Sequence, residues 1–221
     1  MHRTLLPALC LLLLGLAAPA HGQSSLPIVD DVELASLREQ CQRLLKALDT
    51  LKAPLPAAVD KELRALLAAR DAEKDTPAKL QKLLDGQCLV GVSINPESRV
   101  KAARGPAVAE LQLDRPTFVL IKVHNDAGVT AALVIGGPQL RSTEKTGADH
   151  WLEAAVVAEK PLTGKLSGGK VDYVLLRLIP REAGKREATL QFDVGQGTQD
   201  LGFRAEVPIL FDVQKGADRK P

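Results

Sequence analysis

Aromatic side chains are nearly missing from this chain. Its 221 residues include four Phe, one Trp and one Tyr. So few rings exclude an aromatic-lined track for polysaccharide or stacked bases, and the core must rest on Ala, Leu and Val. Cationic excess is missing too, because 29 Lys and Arg face 27 Asp and Glu. Without a basic footprint to neutralise phosphates, no nucleic-acid partner is expected. Histidines number four and cysteines three, in no spacing that suits a metal. There is no His-x-x-x-His pair, no Cys-x-x-Cys and no Asp-rich calcium loop, so no cofactor is expected. His124, Asp126 and His150 read as polar residues at a strand end and in a loop. The signposts of nucleophilic catalysis are equally scarce. No Gly-x-Ser-x-Gly occurs, Ser93 and Ser98 have no neighbouring base, and Gly164-Lys165 lacks the rest of a phosphate loop. A non-catalytic protein is the first expectation. A hydrolase or metal-dependent enzyme with unusual motifs is the alternative.

Long apolar runs are also lacking. The longest, Leu5 to Leu16, is shorter than the roughly 20 residues that a membrane-spanning helix needs. It comes after Arg3 and precedes Ala18-Pro19-Ala20, a small-x-small triplet. Residues 1–20 therefore read as a secretory signal peptide cleaved after Ala20, leaving His21 first and no membrane span. The expected location is secreted or periplasmic. Once Cys10 leaves with the leader, Cys41 and Cys88 remain as an even pair in an oxidising compartment. They form either one disulfide, which is the expectation, or two buried thiols.

What is present is a change of period. Leu34, Leu37, Cys41, Leu44, Leu48 and Leu51 recur at alternating steps of three and four, the seam of an amphipathic helix. Asp30 and Glu33 have capping-box spacing before it, and Pro54-Leu55-Pro56 ends it. Val59, Leu63, Leu66 and Leu67 mark a second helix. Thr76-Pro77 opens a short third one that stops at Gly86. Residues 21–86 thus read as a helical hairpin with a short third helix. The hairpin either folds back on itself or on the β region, or offers its seam to a partner.

From Gln87 the apolar residues alternate, and residues 87–213 read as seven to nine short strands. Cys88–Ile94, Val171–Ile179 and Thr189–Val194 are the clearest. Pro208 marks Phe203–Val213 as an edge strand, and residues 214–221 read as a disordered tail. Pro116–Ile135 reads as a central hairpin turning at Asn125-Asp126-Ala127-Gly128. The fold class expected is α+β, a helical hairpin followed by an antiparallel Ig-like β-sandwich.

The block from Asn95 to Thr130, with a β-rich strand ending in Asn125 ahead of a turn, resembles Ig-like modules of secreted bacterial proteins. That resemblance implies a binding or structural role, with a protein partner or envelope component. Glycan binding is the alternative. Trp151, beside His150 and the polar loop from Arg141, and Tyr173 are the candidate ligand-binding residues, since amphipathic rings can stack on sugars.

Overall fold

The computed structural model describes residues 25–69, 73–195 and 204–216. The expected leader, the terminus expected at His21 and the last residues of the expected tail lie outside them. Three helices come first: α1 (Leu34–Thr50), α2 (Ala57–Ala68) and α3 (Thr76–Asp85). The seam of α1 is buried at Leu37, Cys41, Leu44 and Leu48, as its spacing predicts. The capping box does not form. Asp31 takes a positive φ, and Glu33 holds the N-cap position without a side-chain cap, accepting a bond from Ser36 Oγ instead. Only Leu63 of α2 is buried, so this helix rests on the surface.

Among the described residues nine strands come next: β1 (Cys88–Ile94), β2 (Val100–Arg104), β3 (Glu110–Gln112), β4 (Thr117–Asn125), β5 (Val134–Gly136), β6 (Leu152–Val156), β7 (Val171–Pro180), β8 (Gly184–Asp193) and β9 (Arg204–Gln214). They form a five-stranded sheet, β2-β1-β4-β7-β6, and a four-stranded sheet, β3-β9-β8-β5. We call these sheet A and sheet B. Both curl around a common apolar core that includes Ile94, Ile121, Leu176, Leu190, Phe192 and Phe211. The chain is therefore α+β.

The expected all-antiparallel arrangement is corrected, because both sheets are mixed. β1 runs parallel to β4, and β3 runs parallel to β9. Alternation tells which face a residue takes but not which strand it pairs with, so the parallel neighbours left no mark in the pattern. The central hairpin is corrected for a related reason. β4 pairs with β1 and β7, and the chain after the turn crosses to sheet B, where β5 pairs with β8. The turn closes on itself: Asn125 Nδ2 donates to the Val129 carbonyl, and the Val129 N–H donates to Asn125 Oδ1. An Asn-Asp-x-Gly turn thus serves a crossover as well as a hairpin.

Two further expectations meet the structure at the C-terminus. β9 extends to Gln214, whose carbonyl accepts from the Leu113 N–H, so the tail begins later than expected. β9 lies between β3 and β8, yet β3 covers only Asp212–Gln214. Pro208 therefore stands on an open edge. Asp212 N donates outward to the Ala109 carbonyl, and two-residue alternation points Pro208 the same way. Proline sits where its missing N–H leaves no sheet bond unmade.

The helices do not form a separate domain. α1 and α3 lie on the outer face of sheet A, and their leucines share a second core with Leu120, Val171, Tyr173 and Leu175. Each fully buried leucine there contributes about 1.5–3 kcal/mol of apolar transfer. The molecule is thus layered as helices, sheet A and sheet B.

Candidate functional site

The ligand-binding residues expected from the sequence do not form a site. Trp151 is 3% exposed and packs edge-on against Phe211, at a ring separation of 6.0 Å, inside the core between the sheets. Tyr173 is buried under the helices on the opposite face of sheet A. Stacking on a sugar needs an open ring face, and neither ring has one. His150 is half-buried at the loop end, its N–H donating to the Gly147 carbonyl. His124 Nε2 lies 3.1 Å from Asp126 Oδ1 at the rim, and among the described residues no group of ligands could hold a metal.

Cys41 and Cys88 are both buried in the core between the helices and sheet A, and both are free thiols. Of the two alternatives, the structure has the buried thiols. Burial pushes Cys41 up to about 12 and raises Cys88 well above the ordinary thiol range. Such thiols are poor nucleophiles.

Tyr173 belongs to a polar cluster that sequence reasoning missed. Lys122 lies on the β4 face that α3 covers, and it is 3% exposed. Its ammonium donates to Asp85 Oδ2 at 2.7 Å, to the Pro27 carbonyl at 2.8 Å and to Gln81 Oε1 at 3.0 Å. All three of its protons are committed. Tyr173 donates to Asp85 Oδ1 at 2.7 Å. Gln81 completes the cluster by donating from Nε2 to the Val29 carbonyl and accepting the Val29 N–H. Burial raises the Asp85 carboxyl, opposed by the bonds from Lys122 and Tyr173. Burial and the Asp85 charge raise Tyr173. With its side-chain polar atoms hydrogen-bonded and Lys122, Asp85, Gln81 and Tyr173 all buried, the cluster works as a clamp between the segment at Pro27–Val29, α3 and sheet A. In sequence, the only sign was a lysine within the otherwise apolar row Phe118, Leu120, Lys122.

A second clamp holds α1. Gln40 Nε2 donates to Asp172 Oδ1 at 2.6 Å, and its Oε1 accepts the Tyr173 N–H. Asp172 also accepts the Ser167 N–H. Burial raises its carboxyl, against the pull of the Ser167 and Gln40 bonds.

Beyond the C-terminal end of α1 the outer face of sheet A is uncovered. A cleft of about 240 Å³ opens there, lined by Ala47, Leu51, Phe118, Ala155, Lys160 and Arg177 among others. A second cleft of about 440 Å³ adjoins it, between the loop Arg141–Thr146 and Glu153–Ala155 of β6, and shares Ala155 and Arg177. Register places Arg177 between Phe118 of β4 and Ala155 of β6. Glu153 is held by Arg181 at 2.8 Å. The side chains of Arg177 and Lys160, by contrast, have no hydrogen-bond or ion-pair partner among the described residues. The two clefts form one groove, apolar at the helix end and hydroxyl-rich at the loop end, with an uncommitted guanidinium at the join. Nothing in the sequence distinguished Arg177 from other exposed cations.

No family model matches the chain, and no curated protein matches it. One solved structure, described as "Structure of PbICP-C in complex with falcipain-2", is similar at 13% identity over 48% of this chain and 84% of the other, with a TM-score of 0.28, too low to carry an argument.

Proposed function

We propose that the protein is an exported, non-catalytic binding module that engages a protein of the cell envelope through the groove at Arg177. Its β region is then a variant of the Ig-like sandwich in which two parallel pairings stand among antiparallel ones. The observation that carries the reading is the uncommitted guanidinium between two open clefts. An exposed arginine normally gains from a carboxylate, and one held over an apolar cleft without one is suited to take it from elsewhere. Export is supported by the leader-like residues 1–20. Glycan recognition is the weaker reading because both candidate rings are buried.

The test places a photo-crosslinking residue at Ala155 in the protein expressed in its native host. A control carries it at Leu210, an exposed position on sheet B. The expected result is an adduct from position 155 and none from 210, lost on Arg177→Glu. Adducts of equal yield from both positions, or an adduct indifferent to charge reversal, would refute the groove. Turnover of an ester, peptide or glycoside that stays with the protein through repurification would refute the non-catalytic half.

A further inference from the structure

Strand β6 is the outer strand of sheet A, and most of its free edge is unpaired. β7 covers one side. On the other, only the bridge Leu140↔Leu152 forms, where Leu152 N donates to the Gln139 carbonyl and its own carbonyl accepts the Arg141 N–H. Leu152 thus points its backbone groups away from β7. Two-residue alternation points Ala154 and Val156 the same way, while the Val157 N–H turns inward to the Leu175 carbonyl. The N–H and C=O groups of Ala154 and Val156 have no partner among the described residues. Open edges are usually blunted, as the outward Pro208 blunts β9. β6 contains no proline.

The side chains along this edge say what it would accept. On the outer face, Glu153, Ala155 and Val157 succeed one another, each beside a β7 residue: Ile179, Arg177 and Leu175. Ala155 carries only a methyl group, so β6 itself puts no bulky side chain between Arg177 and a strand laid against its edge. The residue opposite Ala155 then lies two strand spacings from Arg177, roughly 10 Å between backbones, which an arginine and a glutamate span together. The next outer residue toward Val157 falls over the apolar cleft beneath the end of α1. Toward Glu153, a second acid would meet a carboxylate.

We infer that the β6 edge binds an extended acidic peptide segment as an added strand, with a carboxylate on Arg177 and an apolar side chain two residues away in the cleft at Leu51 and Phe118. This inference rests on the reading of the groove as a binding surface. Main-chain bonds to Ala154 and Val156 supply sequence-independent affinity, and Arg177 with the cleft supplies selection, as in other strand additions. The match is one of charge: Glu153 is already engaged by Arg181, and of the two uncommitted cations in the groove, Arg177 and Lys160, it is Arg177 that stands beside Ala155, where a partner carboxylate meets it.

The test uses a capped peptide, acetyl-Thr-Leu-Thr-Glu-Thr-Leu-Thr-amide, whose symmetry makes strand direction immaterial. Affinity is read by fluorescence anisotropy of a labelled copy, and location by amide resonances of the full chain. The expected result is saturable binding that shifts the Ala154 and Val156 amides. Replacing Glu by Gln in the peptide weakens binding at least tenfold. Arg177→Gln weakens it equally and abolishes the preference for Glu over Gln, leaving the melting temperature unchanged. Of two N-methylated peptides, one blocked on alternate amides at the Thr positions and one at Glu and Leu, one loses binding and the other keeps it. Strand addition is overturned if both bind alike, if shifts fall elsewhere than on β6, or if the Glu and Gln peptides bind equally. An Arg177-dependent crosslink at Ala155 without peptide binding would remove strand addition and leave the groove standing. Peptide binding at β6 without any such crosslink would do the reverse.

Discussion

Replacing Lys122 by methionine removes one charge from the clamp and leaves the carboxylate of Asp85 buried between the end of α3 and sheet A. Lys122 is 3% and Asp85 7% exposed, so water cannot take over the lost role. Breaking such a pair from one side costs about 3–5 kcal/mol, much of it the penalty of the stranded charge. Gln81 Oε1 and the Pro27 carbonyl lose a donor as well. The cost must depend on pH. Without Lys122 the Asp85 carboxyl rises further, so the folded variant holds a proton that the unfolded chain has released. Wherever the folded state binds more protons, stability falls as pH rises. Lys122→Met is therefore expected to be milder near pH 4, where the folded carboxyl is protonated and the unfolded chain's is about half so, and severe at pH 7. Adding Asp85→Asn keeps an acceptor for Tyr173 while removing the charge, and should restore most of the loss. Urea unfolding of wild type, both single variants and the double variant at pH 4 and pH 7 measures this. A cost below about 1 kcal/mol at pH 7, or one equal at both pH values, would refute an ionised and sealed pair.

Other consequences are simpler to check. In a chain lacking residues 1–20, Cys41 and Cys88 should resist a thiol reagent in the native state and give two reactive thiols in denaturant without reductant. No thiols under denaturant would reinstate the bridge. Trp151 should fluoresce as a buried indole whose emission glycans leave unchanged, and Trp151→Ala should cost about 3–5 kcal/mol by thermal or urea unfolding. A glycan-dependent emission change would restore Trp151 as a platform. Gly105→Ala should destabilise, because an added Cβ would stand 2.2 Å from the Cys88 carbonyl oxygen, a backbone atom that cannot swing aside. An unchanged melting temperature would contradict that packing.

The helices were legible because each carries its own evidence: a three-and-four seam in α1, Pro77 at the start of α3 and Gly86 at its end. Strands β1 and β7 and the second half of β8 were legible from alternation, though β8 begins earlier, at Gly184. Partnership was not. Val119, Ile121 and Val123 pattern alike whether β4 meets its successor or, as it does, β1 and β7. The polar cluster was invisible for the same reason. Gln81 and Asp85 look like the wet side of a short helix until Lys122 and Tyr173 are brought to them from 41 and 88 positions away. Arg177 carries no local signal, since its significance is the lack of a neighbour. Trp151 misled because amphipathic rings serve cores and binding faces alike, and only position tells them apart.

The parallel pairing of β3 with β9 sets an order on the birth of the molecule. Glu110 pairs with Asp212, about 100 positions later, so sheet B cannot finish until β9 is available. Every strand of sheet A, and the helices behind it, has been made by Pro180. A chain still being synthesised can therefore build a helix-backed sheet whose other face, with Ile121, Val123, Leu176 and Leu178, is bare. Such a half-built protein is sticky, and it invites a chaperone or aggregates with its own copies. Strands β8 and β9 are what relieve that state, so trimming β9 would leave a chain that keeps the bare face and becomes a chaperone client.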